Sequence, residues 1–211
     1  MKLSLRCALL LALCLYSLQP HLVRAEPPPS PLLKAWIEPL IGFSTSGELK
    51  VSHQGLGQTQ SYFSGIGLGS RLGVFWKQTL FLALDFNYFP ALIQAESHGS
   101  PWTNTLLGLT LGARLPNIPM RFWIGYSFIN HISPSQFLNP LGITSPTALD
   151  GGSFKIGSSL EVLKGYLFNA ELHLGSFHRY SSGASESISL PSGVAASHTS
   201  LFFSLSKLIE I

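Results

Sequence analysis

The stretch "GYLFNAELHLGSFHRY", residues 165–180, decides the fold. Tyr166, Phe168, Ala170, Leu172 and Leu174 occupy its even positions, while Asn169, Glu171, His173 and Gly175 occupy the odd ones. A period of two belongs to a β-strand, whose side chains point alternately to opposite faces. One face of this strand is therefore apolar and the other polar. The fold depends on which of them meets water.

The same pattern recurs seven more times. The first segment runs over 34–45, with Ile37, Pro39, Ile41 and Phe43 opposite Glu38, Leu40, Gly42 and Ser44. The second, 61–76, sets Ile66, Leu68, Leu72, Val74 and Trp76 against Gly65, Gly67, Gly69, Arg71 and Gly73. In the third, 80–89, Leu82, Leu84 and Phe86 oppose Ala83, Asp85 and Asn87. The fourth, 102–115, alternates Leu107, Leu109 and Leu111 with Gly108, Thr110, Gly112 and Arg114. The fifth, 120–130, alternates Phe122, Ile124, Tyr126 and Phe128 with Arg121, Trp123, Gly125 and Ser127. The sixth, 152–163, sets Phe154, Ile156, Leu160 and Val162 against Lys155, Gly157, Ser159 and Glu161. The eighth, 198–211, alternates Leu201, Phe203, Leu205 and Ile209 with Phe202, Ser204 and Ser206. Each is close to the 9–11 residues that a tilted strand needs to cross a bilayer.

The connections alternate in length. After the second, fourth and sixth segments they are tight, "KQT", "PNIP" and "KG". After the first, third, fifth and seventh they are long and polar: "SGELKVSHQGLGQ" (46–58), "ALIQAESHGSP" (91–101), "HISPSQFLNPLGITSPTALD" (131–150) and "SSGASESISLPSGVAAS" (181–197). An even number of strands with a turn end and a loop end describes an all-β, eight-stranded, antiparallel up-and-down barrel that spans a membrane. Trp36, Trp76, Tyr88, Trp102 and Tyr166 lie near segment ends, where an aromatic girdle is expected.

Composition points the same way. Charged residues are 11% of the chain and hydrophobic ones 45%, against roughly 25% charged in soluble domains. Lys2 and Arg6, the apolar run "CALLLALCLYSL" and Val23-Arg24-Ala25 read as a signal peptide over 1–25. That run is shorter than the ~20 residues of a spanning helix. Residues 26–33, with "EPPPSP", form a Pro-rich lead-in, and 34–211 are one barrel domain. Of the 13 bases, Lys2, Arg6 and Arg24 lie in the signal, leaving 10 against 10 acids. A neutral exported chain offers no basic surface for a nucleic acid. Cys7 and Cys14 are also in the signal, so neither a disulfide nor thiol chemistry is expected in the remainder.

The polar faces hold Gly, Ser, Thr and Asn with few charges. Glu38, Asp85, Glu161 and Glu171 supply four acids, and Arg71, Arg114, Arg121 and Lys155 four bases. Equal numbers suit a packed lumen, because an unpaired buried charge costs several kcal/mol. These eight residues are expected to form an interior ion network. A soluble barrel of lipocalin type would instead turn many charges outward.

The eight segments, the turn asymmetry, "IEPLIGFS" (37–44) and "SLFFSLSKLIEI" (200–211) resemble the small outer-membrane barrels of the OmpA/OmpX and OmpW-like type in Gram-negative bacteria. The resemblance implies residence in the outer membrane, contact with its lipid and lipopolysaccharide, and assembly by the barrel-assembly machinery through the last strand. The terminal aromatic usual in that family is replaced by Ile211. It also implies a structural or surface-interaction role for the four loops, whose ligand the sequence does not name. The alternative is a narrow channel for hydrophobic molecules.

No catalytic, metal or cofactor site is expected. A barrel resembling lipid A deacylases needs Ser, His and a carboxylate together on the lipid-facing wall. Ser176 and His178 share the apolar face of the seventh segment, but in the order Ser-x-His rather than that family's His-x-Ser, and without an outward carboxylate; Glu186 lies in a loop. His53, His98, His131, His178 and His198 fall in or beside the loops, without tight metal-ligand spacing. "GIGLGS", 65–70, has neither the lysine nor the helix of a phosphate loop.

Overall fold

A computed structural model describes residues 32–55, 57–94, 102–133, 147–182 and 187–211. The expected signal peptide, 1–25, and residues 26–31 of the lead-in lie outside the described residues. Eight long strands form one antiparallel sheet: β1 (Leu33–His53), β2 (Gly57–Trp76), β3 (Leu80–Gln94), β4 (Trp102–Arg114), β5 (Met120–Ser133), β6 (Thr147–Leu163), β7 (Tyr166–Ser182) and β9 (Val194–Lys207). Each pairs with the next, and β9 pairs with both β7 and β1, so the sheet closes on itself. Two short strands lean on this ring, β8 (Ile188–Ser189) on β7 and β10 (Ile209–Glu210) on β1. Closure removes the unpaired edges on which other sheets aggregate.

The tight end is built from residues that fit its turns. Lys77 and Gln78 both have positive φ, 50° and 58°, which gives the two-residue hairpin the twist of its strands. The Thr79 amide closes the turn on the Trp76 carbonyl at 3.1 Å. Between β6 and β7, Gly165 takes φ 76°, a conformation without penalty only for glycine.

At the loop end the strands run past the expected boundaries. β1 and β2 stay paired from Gly47↔Phe63 to His53↔Gly57, so most of 46–58 is hairpin rather than loop. β3 reaches Gln94, β5 reaches Ser133, and β6 starts at Thr147. Alternation hid most of these extensions because bulges interrupt it on β1 between Ser44 and Gly47, on β3 between Phe89 and Leu92, on β5 between Ser127 and Asn130 and on β7 between Phe177 and Arg179. A bulge inserts a residue and exchanges the faces of everything beyond it.

Beyond the bulges the wall also exchanges its chemistry. In the turn-side part the outward residues are apolar: Leu109, Ile124 and Leu205 are 49%, 52% and 58% exposed. The inward residues there are Glu38, Arg71, Asp85, Lys155, Asn169 and Glu171, all buried. In the loop-side part most inward residues are apolar, with Leu49, Val51, Phe63, Leu92, Leu106, Ile132, Leu149 and Phe177 packed in one cluster, and buried Ser61, Asn104, Asn130 and His198 stand among them. Outward there stand mostly polar residues, Glu48, Lys50, Gln60, Thr105, His131, Asp150 and Arg179, with Tyr62 and Ile93 among them. One half has the polarity of a barrel in hydrocarbon and the other that of a barrel in water.

Two residues of the expected aromatic girdle lie inside. Trp36 and Trp102 are 0% and 3% exposed, because they share the parity of Glu38 and of Thr110. Trp76, Tyr88 and Tyr166 face outward.

Candidate functional site

The lumen has three layers. Nearest the turns, Trp36, Phe75, Phe81, Ala83 and Trp123 form a second apolar cluster. Above it lies an ionic layer, and above that the apolar cluster of the loop side. Register places the ionic groups. Glu38 on β1 faces Arg71 on β2, which faces Asp85 on β3, so three inward side chains sit abreast on neighbouring strands.

Arg71 is the hub. Its Nε donates to Asp85 Oδ2 at 2.7 Å and its Nη1 to Glu38 Oε1 at 3.2 Å, while Nη2 donates to Glu171 Oε1 from across the lumen. Its guanidinium also lies 4.5 Å from the Trp123 ring centroid. Arg121 Nη2 donates to Glu38 Oε2 at 2.7 Å and its Nε to Ser159 Oγ at 3.0 Å. Lys155 Nζ is 2.6 Å from Asp85 Oδ2. Polar neighbours add to this: Ser206 Oγ donates at 2.7 Å to Glu38 Oε1, which Arg71 also reaches, and Asn87 Nδ2 donates at 2.6 Å to the other Asp85 oxygen, Oδ1. Three carboxylates and three cations thus meet in one layer. Planar, forked Arg71 suits the centre because its donors reach several carboxylates at once.

Arg114 and Glu161 stand apart from this layer. They pair with each other at 3.2 Å at the turn end, with side chains 37% and 25% exposed. Each is the last inward position of its strand, where water reaches. Glu161 also accepts the Gly165 amide at 2.9 Å and so fastens the β6–β7 turn.

The histidines do not gather. His198 is buried in the lumen beside Phe63 and Phe177, with Nδ1 3.3 Å from Asn130 Nδ2. His131 and His178 are on the outer wall, whereas the side chain of His53 and all of His98 lie outside the described residues. Among the described residues no three His, Cys, Asp or Glu groups are arranged to hold a metal ion. Ser176 and His178 are both exposed on the outer wall of β7, and Glu186 lies outside the described residues.

One outward constellation was missed by the sequence reading. Thr105 on β4, His131 on β5, Asp150 on β6 and Arg179 on β7 are successive cross-strand neighbours. His131 Nδ1 lies 2.6 Å from Asp150 Oδ1. Ser187 Oγ donates to the other carboxylate oxygen at 2.9 Å, and Arg179 Nη2 donates to the Ser187 carbonyl at 2.7 Å. Ser133 follows His131 by two residues on the same outward face, alternating with buried Asn130 and Ile132. Its signal was the tripeptide His131-Ile132-Ser133 itself, at the start of a stretch read as loop.

No protein-family model matches the chain, and no curated protein matches its sequence. The strand pairing alone settles the architecture. It is an eight-stranded antiparallel β-barrel. Among solved structures the barrel is similar to Neisserial surface protein A, with 13% identity over 81% of this chain and 95% of that one and a TM-score of 0.43. It is similar to Ail, the attachment invasion locus protein of Yersinia pestis, at 10% identity over 82% and 99%, TM-score 0.44. It is also similar to the outer membrane protein OprG from Pseudomonas aeruginosa, at 10% identity over 83% and 95%, TM-score 0.41. These three are small outer-membrane barrels, and at such identities the likeness is one of fold alone.

Proposed function

We propose that the chain is an outer-membrane barrel of a Gram-negative envelope whose lumen is closed and whose work is done at its loop end. The observation that carries this reading is the inversion of the wall. An outward apolar belt is costly in water, at about 1.5–3 kcal/mol for each large side chain fully exposed. The same belt is at home in hydrocarbon, and the outward polar residues above it suit the aqueous side. Among the described residues no helix is long and apolar enough to cross a membrane, and strands do not need one.

The glycines of the inner face support a closed rather than a conducting lumen. They are overlain by neighbouring rings instead of opening space. A Cβ on Gly67 would meet Phe89 at 2.5 Å, one on Gly112 would meet Phe81 at 2.4 Å, and one on Gly157 would meet Trp123 at 2.3 Å. Large aromatic side chains thus use the room that small residues leave, as a narrow barrel requires. The role in this reading is structural or surface-interacting, with the loops presented by a rigid wall. Its partners are outer-membrane lipid and lipopolysaccharide around the belt, and the barrel-assembly machinery at β9, whose Leu201, Phe203 and Leu205 face outward.

Planar-bilayer recording tests the closed lumen. The purified chain is expected to insert without steady single-channel openings. Uniform, reproducible openings would establish a channel and overturn the reading.

A further inference from the structure

We infer that His131, Ser133 and Asp150 form a hydrolytic site on the outer wall, which cleaves fatty-acyl esters of amphiphilic lipids. This rests on the membrane-barrel reading above, because the substrate would approach along the wall. The observation that points to chemistry is the orientation of His131. Its Nδ1 is engaged by Asp150 Oδ1 at 2.6 Å, and the carboxylate is itself held by Ser187 Oγ on its second oxygen. An imidazole tied through Nδ1 to a fixed carboxylate presents Nε2 as a proton acceptor, the arrangement that activates a neighbouring hydroxyl.

Ser133 is the hydroxyl. Two residues along one strand face are about 6.6–6.8 Å apart at Cα, so the Ser133 side chain and the imidazole edge come within rotamer reach of each other. The site is accessible, because the His131 and Asp150 side chains are 40% and 33% exposed. A purely structural ion pair has no need of a primary hydroxyl on the same face.

Position selects the substrate class. On β5 and β6 the residues are the first polar ones above the apolar belt. Phe128, Ile129 and Phe154 face outward just below them, at 51%, 43% and 40% exposure. Exposed Arg179 stands beside Asp150 in register. An acyl chain can lie on the apolar wall with its ester carbonyl level with Ser133 and an anionic head group beside Arg179. Lipid A and phospholipid both offer that chemistry.

The reaction balances with water alone. Ser133 Oγ attacks the ester carbonyl carbon as its proton passes to His131 Nε2. The carbon–oxygen bond to the alcohol then breaks, and His131 returns the proton to the leaving oxygen. Water attacks the acyl-serine and gives a proton to His131. The bond to Oγ breaks, Ser133 regains its proton, and a fatty acid has been exchanged for the ester. Ser133 and His131 are the catalytic residues, and Asp150 is a positioning residue.

The test uses the full chain in vesicles of either lipid A or phosphatidylglycerol, with released fatty acid measured by mass spectrometry. Heat-dependent mobility on SDS gels reports whether each preparation holds a folded barrel. The expected result is steady release from at least one lipid, with the preferred vesicle distinguishing the two sources. Ser133→Ala and His131→Ala lose at least about 100-fold in rate with their mobility shift intact. Asp150→Asn lowers kcat at least about 10-fold with little change in KM, and Asp150→Glu recovers part of it. Ser176→Ala, on the same wall, leaves the rate unchanged. A fluorophosphonate probe should mark Ser133 in the peptide map. Absence of release by a chain with an intact mobility shift overturns the site while leaving the barrel. Release that persists in Ser133→Ala, or is lost in Thr105→Val instead, overturns the assignment of the nucleophile. A wild-type chain without the shift defeats the barrel reading and this one with it.

Discussion

At the residue scale, Arg71 matters more than any other charged group. Glu38, Asp85 and Glu171 all accept from it, and burial denies them water as a substitute. Removing one partner of a buried pair costs roughly 3–5 kcal/mol, whereas an exposed pair contributes ~0–1 kcal/mol. Arg71→Leu should therefore lower the urea midpoint in lipid vesicles far more than Arg114→Leu, whose pair with Glu161 is open to solvent. Glu171→Leu should fall between them, because Arg71 keeps Glu38 and Asp85. Equal midpoints for Arg71→Leu and Arg114→Leu would contradict a buried hub. Which residues face inward was legible here, since parity alone puts Glu38, Arg71, Asp85, Lys155 and Glu171 on one side. Their partners were not, because a two-residue period says nothing of which strands lie across the lumen. Parity also places Trp36 with Glu38, yet its nearness to a strand end suggested a girdle.

At the element scale, the bulges decide what can be read. Below them a strand announces itself by alternation, and the tight turns marked its end well. Above them the parity of β1, β3, β5 and β7 changes, and the inward side becomes largely apolar. A reader following one unbroken alternation therefore stops too early, and residues 131–133 were assigned to a loop although they complete β5. For the same reason the alternation of β5 leaves out His131-Ile132-Ser133, whereas Ser176 and His178 precede the change of parity on β7 and stay in phase with it. Small residues position these elements as well. Gly157 on β6 lies under Trp123, and a side chain there must displace a ring that stacks on Arg71. Overpacking of this kind costs about 1–3 kcal/mol. Gly157→Val should lower the urea midpoint and change Trp fluorescence, and an unchanged midpoint would show that the ring is not confined.

At the scale of the whole molecule, the barrel is two half-barrels of opposite polarity joined at a belt of bulges. The turn-side half keeps its charges inside and its hydrocarbon outside, and the loop-side half does the reverse. In the membrane setting we propose, that inversion marks where lipid gives way to water, with the His131–Asp150 pair just on the aqueous side. The proposed closed lumen and the proposed hydrolytic site are separate readings and can fail separately. Nitroxide labels at outward positions along β5 test the inversion most directly, because outward labels leave the lumen undisturbed. Labels at Phe122, Ile124, Tyr126 and Phe128 should collide with oxygen in preference to an aqueous nickel reagent, and labels at His131 and Ser133 should show the opposite preference. Aqueous accessibility along the whole row, in a chain that stays dissolved without lipid or detergent, would contradict the account.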